Sequence, residues 1–278
     1  SPDVLDALSK RLCMGDVSER WNAAEALADW QMSSAVSPLA AAVHDASPKV
    51  RKRVAYALGS LPFSDVVEPL SQLLRDDSIE VRSRAIYGLG KAGLAGAGSL
   101  LVEELTDENR LIRKRVVVSL VSWITKMVPT STGEDEELME VRRALKNLPT
   151  EGDEELRYHA TFGLAILREP LSLEGVEEAL QYQDVTVRRR AIEVLGHSGQ
   201  WDHLKFILER LIDTDPSVRK AVATALGTFG LEFPSDLRQE LIVEDALSKA
   251  LGDEVARVCE AACESWYCRK ERWENMKP

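Results

Sequence analysis

The sequence is poor in the residues from which enzymes and metalloproteins commonly build their sites. Its 278 residues include only four histidines and four cysteines. We find no nucleophile, histidine and acid in an arrangement that would indicate covalent catalysis. Cys13, Cys259, Cys263 and Cys268 show no disulfide framework, which favours a reducing compartment. We expect small buried thiols rather than a zinc site, because C-x₂-C spacing and a nearby histidine are both missing.

Positive charge and long apolar runs are scarce as well. There are 35 Lys and Arg residues against 46 Asp and Glu, and the formal net charge is −11. This balance argues against binding to nucleic acid through bulk electrostatics, which needs a positive surface. No apolar run is long enough to span a membrane, and no signal peptide is visible. We therefore expect a cytoplasmic protein, or a protein of the plastid stroma if the source is an alga or a plant.

What the sequence does contain is a recurring arginine. Its spacings are 31, 31, 31, 44, 31, 31 and 38 residues, and a fixed period of about 30 is typical of stacked repeats. We call these residues the marker arginines: Arg20, Arg51, Arg82, Arg113, Arg157, Arg188, Arg219 and Arg257.

Each marker arginine is predicted to lie in a helix with the same beginning and the same buried face. Four residues earlier stands a side chain that can cap a helix N-terminus: Asp16, Ser47, Ser78, Asn109, Asp153, Asp184, Asp215 and Asp253. Seven residues later a leucine completes the buried face in all but the eighth repeat, which has Glu264: Leu27, Leu58, Leu89, Leu120, Leu164, Leu195 and Leu226. We expect four of these helices to end at Gly59, Gly90, Gly196 and Gly227.

The two long spacings predict how the array is divided. We expect a single solenoid over residues 1–278, with repeats 1–4 at about 1–128 and repeats 5–8 at about 138–265. An acidic insertion at about 129–137 should form an exposed loop between stacked units. The aromatic and irregular segment at about 266–278 should close the core as a C-terminal cap.

The repeated motif Asp/Ser-x-x-Val-Arg-x-x-Ala-x-x-Ala-Leu-Gly resembles the HEAT repeat, in particular the HEAT-like repeats named after the phycobilisome lyases. The resemblance implies an all-α, right-handed solenoid of about eight HEAT-like helix pairs. It also implies that marker arginines bond carboxylates and carbonyls of neighbouring helices, a role assigned to Arg51, Arg82, Arg113, Arg188 and Arg219. The segments that carry it best are 50–59, 81–90, 187–196 and 218–227.

Two groups of enzymes with HEAT-like repeats can be compared with this sequence to ask whether it shares their activity. Deoxyhypusine hydroxylase holds two irons through His-Glu pairs one and two residues after the marker arginine. No His-Glu dipeptide occurs here, and cationic side chains cannot replace those ligands, so we reject that activity. The corresponding positions are Lys52-Arg53, Ser83-Arg84, Arg189-Arg190 and Lys220-Ala221. Bilin lyases, which help attach linear tetrapyrroles to phycobiliprotein cysteines, fit in repeat subtype, length and acidic balance.

One strip of the long helices combines cations with aromatic rings. Positions two, five and nine residues after each marker arginine should line the concave inner surface. They predict a binding groove of Arg53, Tyr56, Arg84, Tyr87, Lys91, Arg115, His159, Phe162, Arg190 and His197. Arg and Tyr are enriched in binding hot spots, and the guanidinium fork suits carboxylates. The alternative is that the strip is an ordinary solvated helix face.

These observations favour a protein-interaction scaffold or adaptor without catalytic activity. It would bind an acidic or carboxylate-rich segment of a protein partner in the groove, with no metal and no cofactor. The alternative is a bilin lyase or phycobilisome-associated HEAT subunit that works with a partner chain, in which case the groove would hold a bilin by its propionates. A third hypothesis is a subunit of a larger assembly that binds through the acidic loop.

Overall fold

Helices are the regular elements of the computed structural model throughout the residues it describes, which are 2–127, 135–149, 153–167, 179–181, 183–229 and 237–275. The predicted all-α class is therefore confirmed. The chain forms two compact units, Ser1–Gly163 and Leu164–Pro278. The single solenoid over the whole length stays a prediction.

The first unit alternates shorter and longer helices as the repeat pattern predicts. The long helices α2, α4, α6 and α8 pack side by side in chain order, and the intervening helices cover them from one side. The helices are α1 Pro2–Met14, α2 Val17–Asp29, α3 Val36–Ala41, α4 Pro48–Leu58, α5 Val67–Leu73, α6 Ile79–Ala92, α7 Ala97–Glu103, α8 Arg110–Met127, α9 Glu136–Lys146 and α10 Glu154–Ile166, whose last residues pass the unit boundary.

The second unit repeats this arrangement. Its helices are α11 Val185–Ser198, α12 Leu204–Glu209, α13 Pro216–Thr228, α14 Leu237–Leu251 and α15 Ala256–Asn275. Helix α13 packs between α11 and α15. The segment from residue 266, predicted to be the C-terminal cap, continues α15 as far as Asn275, and its role as a cap stays a prediction.

The core of each unit lies between its two helix layers. Six of the seven predicted leucines have no exposed surface, and Leu164 is half-buried. Burial of one leucine side chain contributes about 1.5–3 kcal/mol, so the leucine period is a major source of stability. The fully buried members are Leu27, Leu58, Leu89, Leu120, Leu195 and Leu226.

The marker arginines connect consecutive repeats. Arg51 donates from Nε and Nη2 to the two carboxylate oxygens of Asp76, at 2.5 and 2.9 Å, and from Nη1 to the carbonyl oxygen of Asp45 at 2.7 Å. Asp76 also accepts the backbone N–H of Ser78 at 2.8 Å, so one carboxylate joins two repeats and holds the start of α6. We call such pairs the arginine–aspartate clamps: Arg20–Asp45, Arg51–Asp76, Arg188–Asp213 and Arg219–Asp253.

The clamp weakens towards the middle of the chain. Arg82 Nε lies 3.7 Å from a carboxylate oxygen of Asp107, and Arg82 donates to the Asp76 carbonyl at 2.9 Å. Arg113 donates to the carbonyls of Asp107 and Glu108, and no described carboxylate lies within ion-pair distance of it. The carbonyl bonds implied by the family resemblance are thus confirmed for Arg82 and Arg113. Arg51, Arg188 and Arg219 make bonds to both a carbonyl and a carboxylate.

The clamps make the fold sensitive to acid. Burial alone raises the pKa of Asp76, but the hydrogen bonds from Arg51 and from the Ser78 N–H outweigh it and lower that pKa below its usual value. The pKa of Asp253 is likewise lowered, chiefly by its hydrogen bond from Arg219. A carboxylate with a lowered folded-state pKa stabilises the fold above its unfolded pKa of about 3.9, and that contribution disappears as the pH falls through the folded-state value.

The last repeat is offset by two residues from the predicted register. Asp253, predicted as an N-cap, instead accepts the two clamp bonds from Arg219 at 2.6 and 3.0 Å. Six residues later, the Cys259 thiol donates to the Asp253 carbonyl at 3.0 Å, as marker arginines do to the carbonyl six residues back in earlier repeats. Cys259 rather than Arg257 therefore occupies the marker position, which explains why Glu264 departs from the leucine rule.

The other predicted N-caps are correct in part. Ser47 and Ser78 make no side-chain cap, and the aspartates two residues before them accept their N–H groups instead. The side chains that do accept a helix-start N–H are Asp16, Asn109, Asp153, Asp184 and Asp215.

Three of the four glycines predicted to end helices lie inside them. Only Gly59 stands at a helix end. Helix α6 continues past Gly90 and ends at Gly93, whose φ of +63° is in the left-handed region that favours glycine. A Cβ atom at Gly90 would lie 2.5 Å from the carbonyl oxygen of Ser119 on α8, so this glycine permits close contact between long helices. The predictions for Gly196 and Gly227, inside α11 and α13, fail for the same reason.

Most of the predicted acidic insertion, residues 129–134, lies outside the described residues. The described part is structural. Asp135 caps the start of α9. The Glu137 carboxylate accepts the N–H groups of Gly96 and Ser99 at 2.9 and 3.0 Å and so caps α7. Glu137 is therefore part of the helix packing rather than of an exposed loop.

Asp76→Asn should lower the free energy of unfolding by about 2–4 kcal/mol, because Arg51 loses its carboxylate in a largely buried pair. The adjacent Asp77 is exposed, so Asp77→Asn removes the same charge and should change this free energy by less than about 0.5 kcal/mol. Chemical denaturation followed by circular dichroism measures both. Equal losses would contradict the role of Asp76 in joining repeats.

Candidate binding groove

The predicted groove residues lie on four long helices of the first unit and one of the second. Arg53 and Tyr56 are on α4, Arg84, Tyr87 and Lys91 on α6, and Arg115 on α8. His159 and Phe162 are on α10, and Arg190 and His197 belong to α11 of the second unit.

Cations and aromatic rings alternate across α2, α4 and α6. The guanidinium carbon of Arg53 lies 3.9 Å from the ring centroid of Trp21 and 5.3 Å from that of Tyr56. The guanidinium carbon of Arg84 lies 5.5 Å from Tyr56 and 5.6 Å from Tyr87. Cations within about 6 Å of a ring centroid are attracted to it. We call this series, Trp21, Arg53, Tyr56, Arg84 and Tyr87, the cation–ring ladder.

The ladder explains how like charges can stack from repeat to repeat. The Tyr56 ring lies near both Arg53 and Arg84, so the attraction of the two guanidinium groups to this ring opposes the repulsion between them. Lys91 adds a third cation, with its Nζ 5.5 Å from the Tyr56 ring. At the other end Arg53 also pairs with Glu25 at 3.3 Å, and its side chain is only 19% exposed. Arg53 therefore contributes to packing as well as to the charge of this surface. The sequence analysis missed Trp21, because Trp21 directly follows the marker arginine Arg20 and lies outside the positions that were used to predict the groove.

Beside the ladder lies a groove of about 710 Å³ between the beginnings of α4, α6, α8 and α10. Arg84 and Tyr87 from the ladder form one wall, and Arg115 and Val118 of α8 form the other. Its edges carry two apolar side chains with large exposed fractions, Ile79 at 46% and Leu111 at 70%. Exposed apolar side chains grouped with cations are typical of interaction surfaces.

The charges in the groove are only partly compensated. Each of its two lysines is paired with a glutamate: Lys52 with Glu80 at 2.5 Å, and Lys114 with Glu155 at 2.6 Å. Arg84 and Arg115 differ, because neither has a carboxylate within ion-pair distance among the residues that the structure describes. Two guanidinium groups without a described carboxylate partner therefore face one groove in a chain of net charge −11.

Sequence reasoning found these arginines and missed the residues around them. Ile79 and Leu111 stand near helix starts, where an apolar residue outside the buried face is the only signal that could have pointed to them. The pairing of Lys52 with Glu80 spans 28 residues, and a pattern within one helix does not reveal it.

The remaining predicted residues form separate features. On α10 the centroid of the Tyr158 ring lies 4.8 Å from that of His159 and 5.8 Å from that of Phe162, and all three side chains are half-buried. In the second unit Arg190 is half-buried. His197 is exposed, its Nδ1 lies 2.8 Å from the Glu193 carbonyl, and it lines a smaller groove of about 280 Å³.

The prediction of buried thiols is wrong. On α15, Cys263 and Cys268 are exposed and Cys259 is half-buried, because this helix follows the shifted register. Cys13 on α1 is exposed as well. In the described part of the chain, no three or more His, Cys, Asp or Glu side chains are grouped so that they could hold a metal ion. Nor does any described helix have the length and apolar character needed to cross a bilayer.

The sequence matches the family model described as HEAT repeats over residues 5–78, 36–121 and 173–265. No curated protein matches it. Among solved structures, the complex of CpcE and CpcF of phycocyanin lyase from Nostoc sp. PCC7120 is similar, with a TM-score of 0.52 and 20% identity over 88% of this chain and 93% of that one. Yeast importin-beta, Kap95p, has a TM-score of 0.57 and 15% identity, and the match covers 100% of this chain but only 42% of importin-beta. At these identities the likeness shows the fold alone.

Arg53→Ser should lower the melting temperature clearly, equivalent to about 1–2 kcal/mol, because it removes ring contacts on both sides and the pair with Glu25. Arg115→Ser removes an exposed side chain without such contacts and should cost less than about 0.5 kcal/mol. Calorimetry on the two variants compares them. A loss for Arg115→Ser as large as that for Arg53→Ser would mean that Arg115 supports the fold.

Proposed function

We propose that this chain, which belongs to the HEAT-repeat family, is a protein-interaction scaffold that binds an acidic segment of a partner in the groove beside the cation–ring ladder. The observation that carries the proposal is the pair of arginines, Arg84 and Arg115, that line this groove without a described carboxylate partner. Elsewhere in the groove the cations are paired.

Charge supports an anionic ligand. A guanidinium group presents donors in a planar fork that matches a carboxylate, and such bonds are stronger than neutral hydrogen bonds. The rest of the molecule is acidic, so an acidic partner is repelled elsewhere on the surface and attracted here. This combination provides specificity, because a misplaced acidic segment meets like charge.

The apolar edges narrow the class of partner. Ile79 and Leu111 expose 46% and 70% of their surface beside the arginines. A segment with apolar side chains next to its carboxylates covers both features, whereas a purely acidic segment leaves the apolar edges in water. We therefore favour a protein segment over a simple anion.

The second candidate is a bilin lyase subunit, as the fold likeness to the phycocyanin lyase complex suggests. A linear tetrapyrrole is also apolar and carries two propionates, so it suits Arg84 and Arg115 with Ile79 and Leu111 beside them. The groove geometry alone supports either ligand, and the lyase candidate would require a partner chain.

Replacing both groove arginines, Arg84→Ser with Arg115→Ser, should weaken binding of a short, fluorescently labelled, glutamate-rich peptide with apolar residues by about 10- to 100-fold. Fluorescence anisotropy gives the dissociation constants. Wild-type affinity should fall as salt is raised from about 50 to 200 mM, because the attraction is partly screened. The control is Arg75→Ser with Arg238→Ser, which removes the same charge from exposed arginines outside the groove and should change affinity little. Equal loss in both double variants would refute the groove as the site.

Under the lyase candidate, phycocyanobilin added to the wild-type chain should change its visible absorbance spectrum. The change should be smaller in the Arg84→Ser/Arg115→Ser variant and unaltered in the Arg75→Ser/Arg238→Ser control. An unchanged bilin spectrum with the wild-type chain counts against the lyase candidate and leaves the scaffold proposal in place.

A further inference from the structure

We infer, resting on the proposed function, that the partner's acidic segment carries an aromatic side chain that continues the cation–ring ladder by stacking on Arg115. The acidic residue would pair with the groove arginines, and the ring would lie where the fourth repeat has Val118 in place of tyrosine.

The ladder follows a simple rule in two consecutive repeats. Arginine stands two residues after the marker arginine and tyrosine stands five after it, as in Arg53 with Tyr56 and Arg84 with Tyr87. Each of these tyrosine rings lies 5.3–5.6 Å from a guanidinium carbon.

The fourth repeat keeps the arginine of this rule and loses the ring. Arg115 occupies the arginine position, and Val118 stands where tyrosine is expected. Within the described chain, Arg115 makes no cation–π contact, and it is exposed. The ladder therefore ends at Tyr87, and the next arginine, Arg115, lines the groove without a described ring against it.

The groove is located where that ring is missing. Arg84, Tyr87, Arg115 and Val118 all line it, and Val118 is half-buried. Its volume of about 710 Å³ lies within the range of sites that enclose small ligands, so one inserted aromatic side chain and part of its backbone fit. Tyr87 remains 37% exposed and can take a second ring contact.

The chemistry of a guanidinium group favours one residue pair over others. Its edge carries the hydrogen-bond donors and its faces attract aromatic rings, so the same Arg115 can hold a carboxylate in its plane and a ring on its face. Aspartate or glutamate close to Tyr, Phe or Trp satisfies both requirements. An acidic segment with aliphatic residues alone satisfies only the first.

Short peptides of identical charge test this inference. They share one glutamate-rich sequence and differ at one central position, which is tyrosine, cyclohexylalanine or alanine; cyclohexylalanine matches the ring in size but lacks its π-system. With the wild-type chain we expect the tyrosine peptide to bind about 3- to 10-fold more tightly than the cyclohexylalanine peptide. Isothermal titration calorimetry gives the affinities.

Variants of this chain test whether the preference for the tyrosine peptide arises at Arg115, where the ladder ends. Val118→Tyr supplies the missing ring internally and should abolish the preference, whereas the matched control Val118→Leu should keep it. If Val118→Tyr fails to fold, Arg115→Gln serves instead: it removes the cation, so glutamate-rich peptides should bind more weakly, through Arg84, and with little preference for tyrosine.

The remaining outcomes would contradict either the inferred aromatic side chain or the proposed acidic groove. Equal affinity of the tyrosine and cyclohexylalanine peptides for the wild-type chain would refute the inference, and the proposed function would stand, because acidic peptides still bind. A preference that survives Arg115→Gln, or that survives Val118→Tyr in a folded variant, would also refute it. Failure of all three peptides to bind would contradict both the inference and the proposed acidic groove.

Discussion

The arginine–aspartate clamp is the interaction on which the rest of the structure depends. Each clamp carboxylate does two things at once: it receives the guanidinium of the preceding repeat and it binds an N–H at the start of the next long helix, as Asp76 does for Arg51 and Ser78. The repeat spacing of the stack is therefore set at the helix beginnings. Farther along, Gly90 lets α6 approach α8 closely at Ser119.

The cation–ring ladder follows from that spacing. Once long helices are held in the same register, positions two and five after the marker arginine become neighbours across repeats, and arginines alternate with tyrosines. Where an internal partner exists, each charge is compensated: Arg53 has two rings and a carboxylate. Where the pattern stops, at Arg115, the charge and an apolar edge remain open. The candidate site therefore lies where the Arg and Tyr pattern of the second and third repeats is interrupted by Val118 in the fourth.

The buried leucines and the groove arginines could be predicted from the sequence, because each depends on spacing within one helix. The repeat period could be predicted because the marker arginine recurs at a nearly constant interval along the chain. The offset of the last repeat could not, since Cys259 replaces the arginine used as a marker and Arg257 lies two residues away as a false match. Gly90 was misread because a glycine at a close approach has the same local sequence as one at a helix end. Pairings between helices, such as Arg53 on Trp21, depend on packing that one sequence does not encode locally.

Hydrogen–deuterium exchange of the chain, alone and with the glutamate-rich tyrosine peptide, shows whether the peptide binds in the groove lined by α6 and α8. We predict that peptide binding slows amide exchange in the two segments that border the groove. These are the beginning of α6, around Ile79–Tyr87, and the beginning of α8, around Leu111–Val118. Helices α11 and α13 of the second unit should be unaffected. Slower exchange confined to the second unit, with none at α6 and α8, would contradict the account.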